Sequence, residues 1–150
     1  PFYLDSKDGY ITSKFTSKVS LGIADYPMCR LAEAYLIEAE CLLKGSQPDV
    51  VKGLQILNAL RVKRGESQLT SAQFTSDEIW KERRRELYGE GFALPDIKRL
   101  QKPLERVGEE HWSDVISLPA NSPRMMFPIP ADELDYNKSA TSDDQNEYWR

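Results

Sequence analysis

Histidine is almost missing from this chain: His111 is the only one in 150 residues. Any Cys/His or Ser/His nucleophilic pair would depend on it alone, and it neighbours neither cysteine in sequence. Cysteine is equally scarce. Cys29 and Cys41 fall at the start of and within one predicted helix, where twelve residues at roughly 1.5 Å each separate them by about 18 Å. That is far beyond disulfide reach, so both read as small buried apolar residues. One histidine and two distant cysteines supply no metal-ligand spacing. The eight glycines are scattered, and none leads a predicted strand into a helix, so there is no phosphate cradle. No apolar run reaches membrane-spanning length, and Pro1-Phe2-Tyr3-Leu4-Asp5 lacks the basic-then-apolar layout of a signal peptide. Whatever addresses the protein is expected to lie outside this chain.

Carboxylates are plentiful, but a glycosidase needs two of them facing a sugar. Here they alternate with arginines that would hold their pKa values low and spoil a general acid. The sequence therefore predicts no enzyme, no cofactor and no metal. With 40% hydrophobic and 29% charged residues the chain suits a globular domain. The formal charge of −4 argues against a nucleic-acid or anionic-membrane partner.

The sharpest local signals lie between Thr75 and Leu100. Thr75-Ser76-Asp77-Glu78 reads as a capping box, with Phe74 and Ile79 placed for a hydrophobic staple, so a helix begins here. Trp80, Arg84 and Leu87 share one face, which puts a cation in an apolar stripe where it needs a partner. On that reading Arg84→Ala is expected to cost about 3–5 kcal/mol by leaving a buried carboxylate unpaired. Gly89 and Gly91 end the helix, and a second short piece follows at Asp96 to Leu100 after Pro95. From Ser76 to Leu100 six cations are matched by six acids, which predicts an internal ion-pair network and leaves no field to attract phosphates.

Upstream, Pro1 to Asp25 reads as irregular with one short strand, from the alternation around Tyr10-Ile11-Thr12 and Phe15 to Val19. A helix then runs from about Met28 to Lys44. Leu31, Ala34, Tyr35, Cys41 and Leu42 form one stripe and Ala32, Leu36, Ala39 and Leu43 another, so it should pack between neighbours. Glu40 and Lys44 form an i,i+4 pair, while Glu33 and Glu40 are either a solvated edge or acceptors for later arginines. Gly45 to Asp49 is a stop and a start, capped by Gln47 if Pro48 is the first helical residue and by Ser46 or Asp49 if the start slips. Val50, Leu54, Leu57, Asn58 and Arg61 face inward on a second helix that ends near Gly65, closing an antiparallel hairpin of the kind that stacks in helical repeats. Beyond Leu100 the period dissolves. Asp114 to Leu118 is a short extended piece, Pro123 to Pro130 is held extended with Met125, Met126, Phe127 and Ile129 along a hydrophobic surface, and Ala131 to Leu134 makes one turn. Tyr148-Trp149-Arg150 suggests a docked tail.

The order of these pieces resembles the C-terminal region of the SusD/RagB family of outer-membrane nutrient-binding lipoproteins. Arg30 to Leu36 with Ala39-Glu40 is followed by Leu57-Asn58-Ala59-Leu60-Arg61 with Arg64-Gly65. Glu82-Arg83-Arg84-Arg85-Glu86-Leu87 with Glu90-Gly91 and Asp96-Ile97-Lys98-Arg99 comes next, then Pro128-Ile129-Pro130 with Glu133 and Asn137. The family's pattern is broken at Ala93-Leu94-Pro95 and at Gln145-Asn146-Glu147-Tyr148-Trp149.

The resemblance implies an all-α fold with tetratricopeptide-like helix pairs and a long irregular C-terminal segment. It implies that residues 1–150 are the C-terminal region of a longer protein whose signal peptide and lipid anchor lie upstream, at the outer-membrane cell surface. The matching residues would be structural. The implied function is a non-catalytic glycan- or nutrient-binding subunit that delivers ligand to a TonB-dependent, SusC-like transporter. Its rival is a helical-repeat adaptor gripping a peptide or protein partner. Candidate ligand-binding residues are Trp112, Tyr88 and Trp80, for all of which core packing is the competing role.

Overall fold

The computed structural model describes residues 2–5, 9–12, 14, 28–107 and 117–149. They form two compact units that divide between Thr75 and Ser76. Five α-helices dominate the described residues, and the strands are only two to four residues long. The fold is thus all-α, as expected. No helix among the described residues is long and apolar enough to cross a membrane.

The first unit opens with β1 (Phe2–Asp5) and β2 (Gly9–Thr12), an antiparallel pair in register Phe2↔Thr12 through Asp5↔Gly9. Two strands therefore stand where one was expected; the proposed alternation at Phe15 to Val19 lies outside the described residues. A helical hairpin follows, made of α1 (Leu31–Lys44) and α2 (Val50–Lys63). α1 starts three residues later than Met28, which is itself exposed. Asp49 settles the open question of the second start: its carboxylate accepts from the Lys52 N–H at 3.0 Å and caps α2. The five-residue connection turns the chain back so that Lys52 Nζ reaches Glu38 at 3.0 Å, while Glu40 and Lys44 make their i,i+4 pair at 3.3 Å.

Of the two stripes on α1, only Ala32, Leu36 and Ala39 are buried, whereas Leu31 is 67% exposed and Tyr35 and Cys41 are exposed with it. Both cysteines prove exposed, contrary to expectation, because Cys29 precedes the helix and Cys41 lies on the uncovered stripe. Gly53 on α2 allows a close approach: a Cβ there would stand 2.9 Å from the Phe74 ring and 3.1 Å from Leu42 Cβ. Phe74 is buried against this spot.

The residues that carried the family resemblance on α2 hold the following loop. Asn58 donates to the Leu69 carbonyl at 3.0 Å and accepts from its N–H at 2.8 Å, so one side chain satisfies both backbone groups. Buried Arg61 donates to the Ser67 carbonyl at 2.8 Å and lies 3.8 Å from Glu66. Without these partners the chain after α2 would carry unpaired backbone polar groups near the core.

The second unit begins at α3 (Ser76–Glu86), one residue after Thr75, where the capping box puts the start. Gly89 and Gly91 adopt φ of 75° and 85°, the left-handed conformation that ends a helix without a Cβ penalty. α4 (Ala93–Arg99) starts three residues before Asp96, because Pro95 sits in the first turn, where its missing N–H costs nothing. β3 (Leu104–Glu105) pairs antiparallel with β4 (Ser117–Leu118), which confirms an extended Leu118 and supplies a partner strand the sequence hid.

The stretch from Pro123 starts with a single 3-10 turn, then runs extended; Met125 is buried, while Phe127, 82% exposed, borders an apolar hollow with its rim open to water. α5 (Ala131–Tyr136) is tied off by the Asn137 amide donating to the Glu133 carboxylate at 2.6 Å. The tail is docked. Gln145 donates to the Ile129 carbonyl at 3.0 Å and accepts from its N–H at 2.9 Å, and the Trp149 indole N–H donates to the Met126 carbonyl at 2.9 Å.

Candidate functional site

The corner between α3 and α4 is built on one buried ion pair. Arg83 Nε donates to Asp96 Oδ2 at 2.8 Å with both side chains nearly inaccessible, and Arg99 Nε takes Asp96 Oδ1 at 2.8 Å. The Arg83 guanidinium also lies 5.9 Å from the Phe92 ring centroid. A carboxylate with both oxygens engaged by guanidinium groups can tolerate burial, since the pairing offsets desolvation. On the outer side Arg85 meets Glu82 and lies 3.7 Å from Glu78, and Lys81 meets Glu78 at 3.1 Å. The expected internal network is present in this unit.

Its buried member is Arg83, not Arg84. Arg84 is exposed and stands over the Trp80 ring, 4.9 Å from the centroid. The shared face with Trp80 was legible from the spacing, but the depth was not, because the stripe ends at the surface. The predicted unfolding by Arg84→Ala is thereby corrected: among the described residues no buried carboxylate depends on that residue for its pairing.

Beside Trp80 opens a cavity of about 570 Å³ whose wall includes Arg84, Ile97, Lys102, Glu105 and Arg106. The Lys102 ammonium lies 4.7 Å from the Trp80 ring centroid and also meets Asp77 Oδ1 at 2.7 Å. Two cations therefore already draw on the π-density of Trp80. The indole N–H is buried without a hydrogen-bond partner, as is one terminal nitrogen of Arg83. Chemically, the described residues present guanidinium and ammonium donors around an aromatic centre.

A second cavity, about 340 Å³, is lined by Leu94, Leu104, Met125, Met126, Phe127 and Trp149 together with Arg106 and Arg124. Tyr148 and Trp149 pack edge to face with centroids 4.9 Å apart, and Arg124 stands 4.8 Å over Tyr148. Among the described residues no group of three or more His, Cys, Asp or Glu could hold a metal ion.

Of the three candidate ligand-binding residues, the structure puts Trp80 in the wall of a described cavity. Tyr88 lies just beyond α3, about half exposed, and lines neither cavity; Trp112 and His111 lie outside the described residues. Sequence reasoning missed Lys102, Arg106 and Trp149. Lys102-Pro103 carried only a helix-stop signal, and nothing local ties it to an indole 22 positions earlier.

The model of the SusD family matches residues 5–149. Two solved structures are similar throughout most of the chain. A SusD superfamily protein from Bacteroides vulgatus is 32% identical with a TM-score of 0.71, over 86% of this chain and 30% of that one. A SusD superfamily protein from Bacteroides thetaiotaomicron is also 32% identical with a TM-score of 0.71, over 82% of this chain and 28% of that one. The chain thus spans under a third of the length of these structures. No curated protein matches.

Proposed function

The chain belongs to the SusD family, and on that premise we propose that it forms part of a non-catalytic subunit that captures glycans at the outer-membrane surface and passes them to a TonB-dependent, SusC-like transporter. The match to the family over residues 5–149 is the observation that carries this reading. Two physical features support it. Arg83, Arg85 and Arg99 of α3 and α4 pair with Asp96 and Glu82, which suits a rigid scaffold. The cavity at Trp80 is walled by several hydrogen-bond donors of the kind that hold polar ligands. Trp80 marks the candidate ligand cavity among the described residues; Tyr88 and Trp112 stay candidates from sequence.

The test is a titration of the full-length protein with a panel of oligosaccharides, followed by tryptophan fluorescence and by chromatography of the recovered sugar. Saturable quenching or enhancement with sugar recovered intact is expected. Flat fluorescence across the panel would remove the glycan reading, and shortened sugar would remove the non-catalytic one. Co-purification of a large outer-membrane barrel with the full-length protein is the expected outcome for the transporter partner.

A further inference from the structure

We infer that the cavity beside Trp80 receives an anionic substituent of a glycan, a uronate carboxylate or a sulfate ester, and does not stack a neutral sugar ring. The inference rests on the glycan-binding reading above and narrows its ligand class. A neutral sugar is held by laying its C–H face on bare aromatic surface. Trp80 does not offer that: Arg84 stands 4.9 Å and Lys102 4.7 Å from its centroid, so the ring already serves as a seat for cations.

The cations so seated are the recognising groups. Among the described residues the cavity wall carries the Arg84 and Lys102 cations, with Glu105 as its carboxylate and Arg106, which has a partner of its own, beside them. The Arg84 guanidinium is a planar fork whose paired donors match the two oxygens of a carboxylate or sulfate. Held over an indole, it gives up less conformational freedom on binding than a free surface arginine would. Lys102 is also held by Asp77 at 2.7 Å, which uses one of its three ammonium protons. Asp77 also lowers the local positive charge, so the site is one of directed donors and not of a strong field. That agrees with the net charge of −4: an anionic sugar is recognised at short range without being drawn in from a distance. A volume of about 570 Å³ accommodates a sugar ring with its charged substituent.

The experiment is calorimetry on the full-length protein with matched oligosaccharides of one backbone: neutral, uronate-bearing and sulfated, with inorganic sulfate alongside. At least one charged sugar is expected to bind about tenfold or more tightly than the neutral one, as charge-assisted hydrogen bonds should give. The uronate and sulfate arms identify which substituent is taken. Arg84→Met, at an exposed position whose apolar stem is kept, should erase that preference, Arg84→Lys should keep part of it, and Lys102→Met should weaken it independently. Equal affinity for neutral and charged sugars, or a preference untouched by both methionine variants, would overturn the inference while leaving glycan binding intact. Inorganic sulfate binding as tightly as the sulfated sugar would also overturn it, as a plain anion site. Failure of every oligosaccharide to bind would bring down the glycan reading itself, and this inference with it.

Discussion

Arg83 carries its guanidinium into the corner between α3 and α4, where it is 4% exposed and meets Asp96. Replacing it with alanine leaves a buried carboxylate with only the half-exposed Arg99 as partner. Breaking such a pair costs about 3–5 kcal/mol, and the remaining contact puts Arg83→Ala at about 3 kcal/mol, readable as a lower urea midpoint. Arg84→Ala, removing only an exposed cation over an indole, should cost under about 1 kcal/mol in the same assay. The sequence showed that a cation shares a face with Trp80. It could not show which of three consecutive arginines turns inward, because neighbours on a helix differ by about 100° and the inward direction is set by where α4 packs.

The helical hairpin turns on a glycine. At Gly53 an added methyl gains helix propensity of about 1 kcal/mol but would sit 2.9 Å from the Phe74 ring and 3.1 Å from Leu42 Cβ. Leu42 Cβ is fixed to its helix and cannot give way, so overpacking of about 1–3 kcal/mol wins. Gly53→Ala is therefore expected to lower the melting temperature, and an unchanged or raised melt would show that Phe74 can move aside. Asp49→Ala should cost about 1 kcal/mol by uncapping α2, measured by the same melt. At the other end of the chain, Gln145→Leu keeps size but removes both hydrogen bonds to Ile129, so amide exchange at Ile129 should speed up, with exchange in α3 unaffected. Helix starts and stops of this kind were readable from local residues. The uncovered stripe of α1 was not, since two apolar stripes look alike in sequence and only packing chooses between them.

For the whole molecule, a charge of −4 with six cations matched by six acids between Ser76 and Leu100 predicts no affinity for nucleic acid. A short DNA duplex should leave tryptophan anisotropy unchanged at physiological ionic strength, and binding there would show that the pairing leaves a free basic field. What the residues determined alone was whatever depends on near neighbours: the helical hairpin, the break at Gly89 to Gly91, the ordered series of motifs that marks the SusD family, and Trp80 as an aromatic worth watching. What only the tertiary structure decided was whatever depends on positions far apart: Arg83 against Asp96, Asn58 around Leu69, Lys102 brought to Trp80, and Trp149 against Met126. The physical reason is that caps and turns are set within a few residues by backbone geometry, whereas a buried charge or a cavity wall exists only once separate segments have excluded water together.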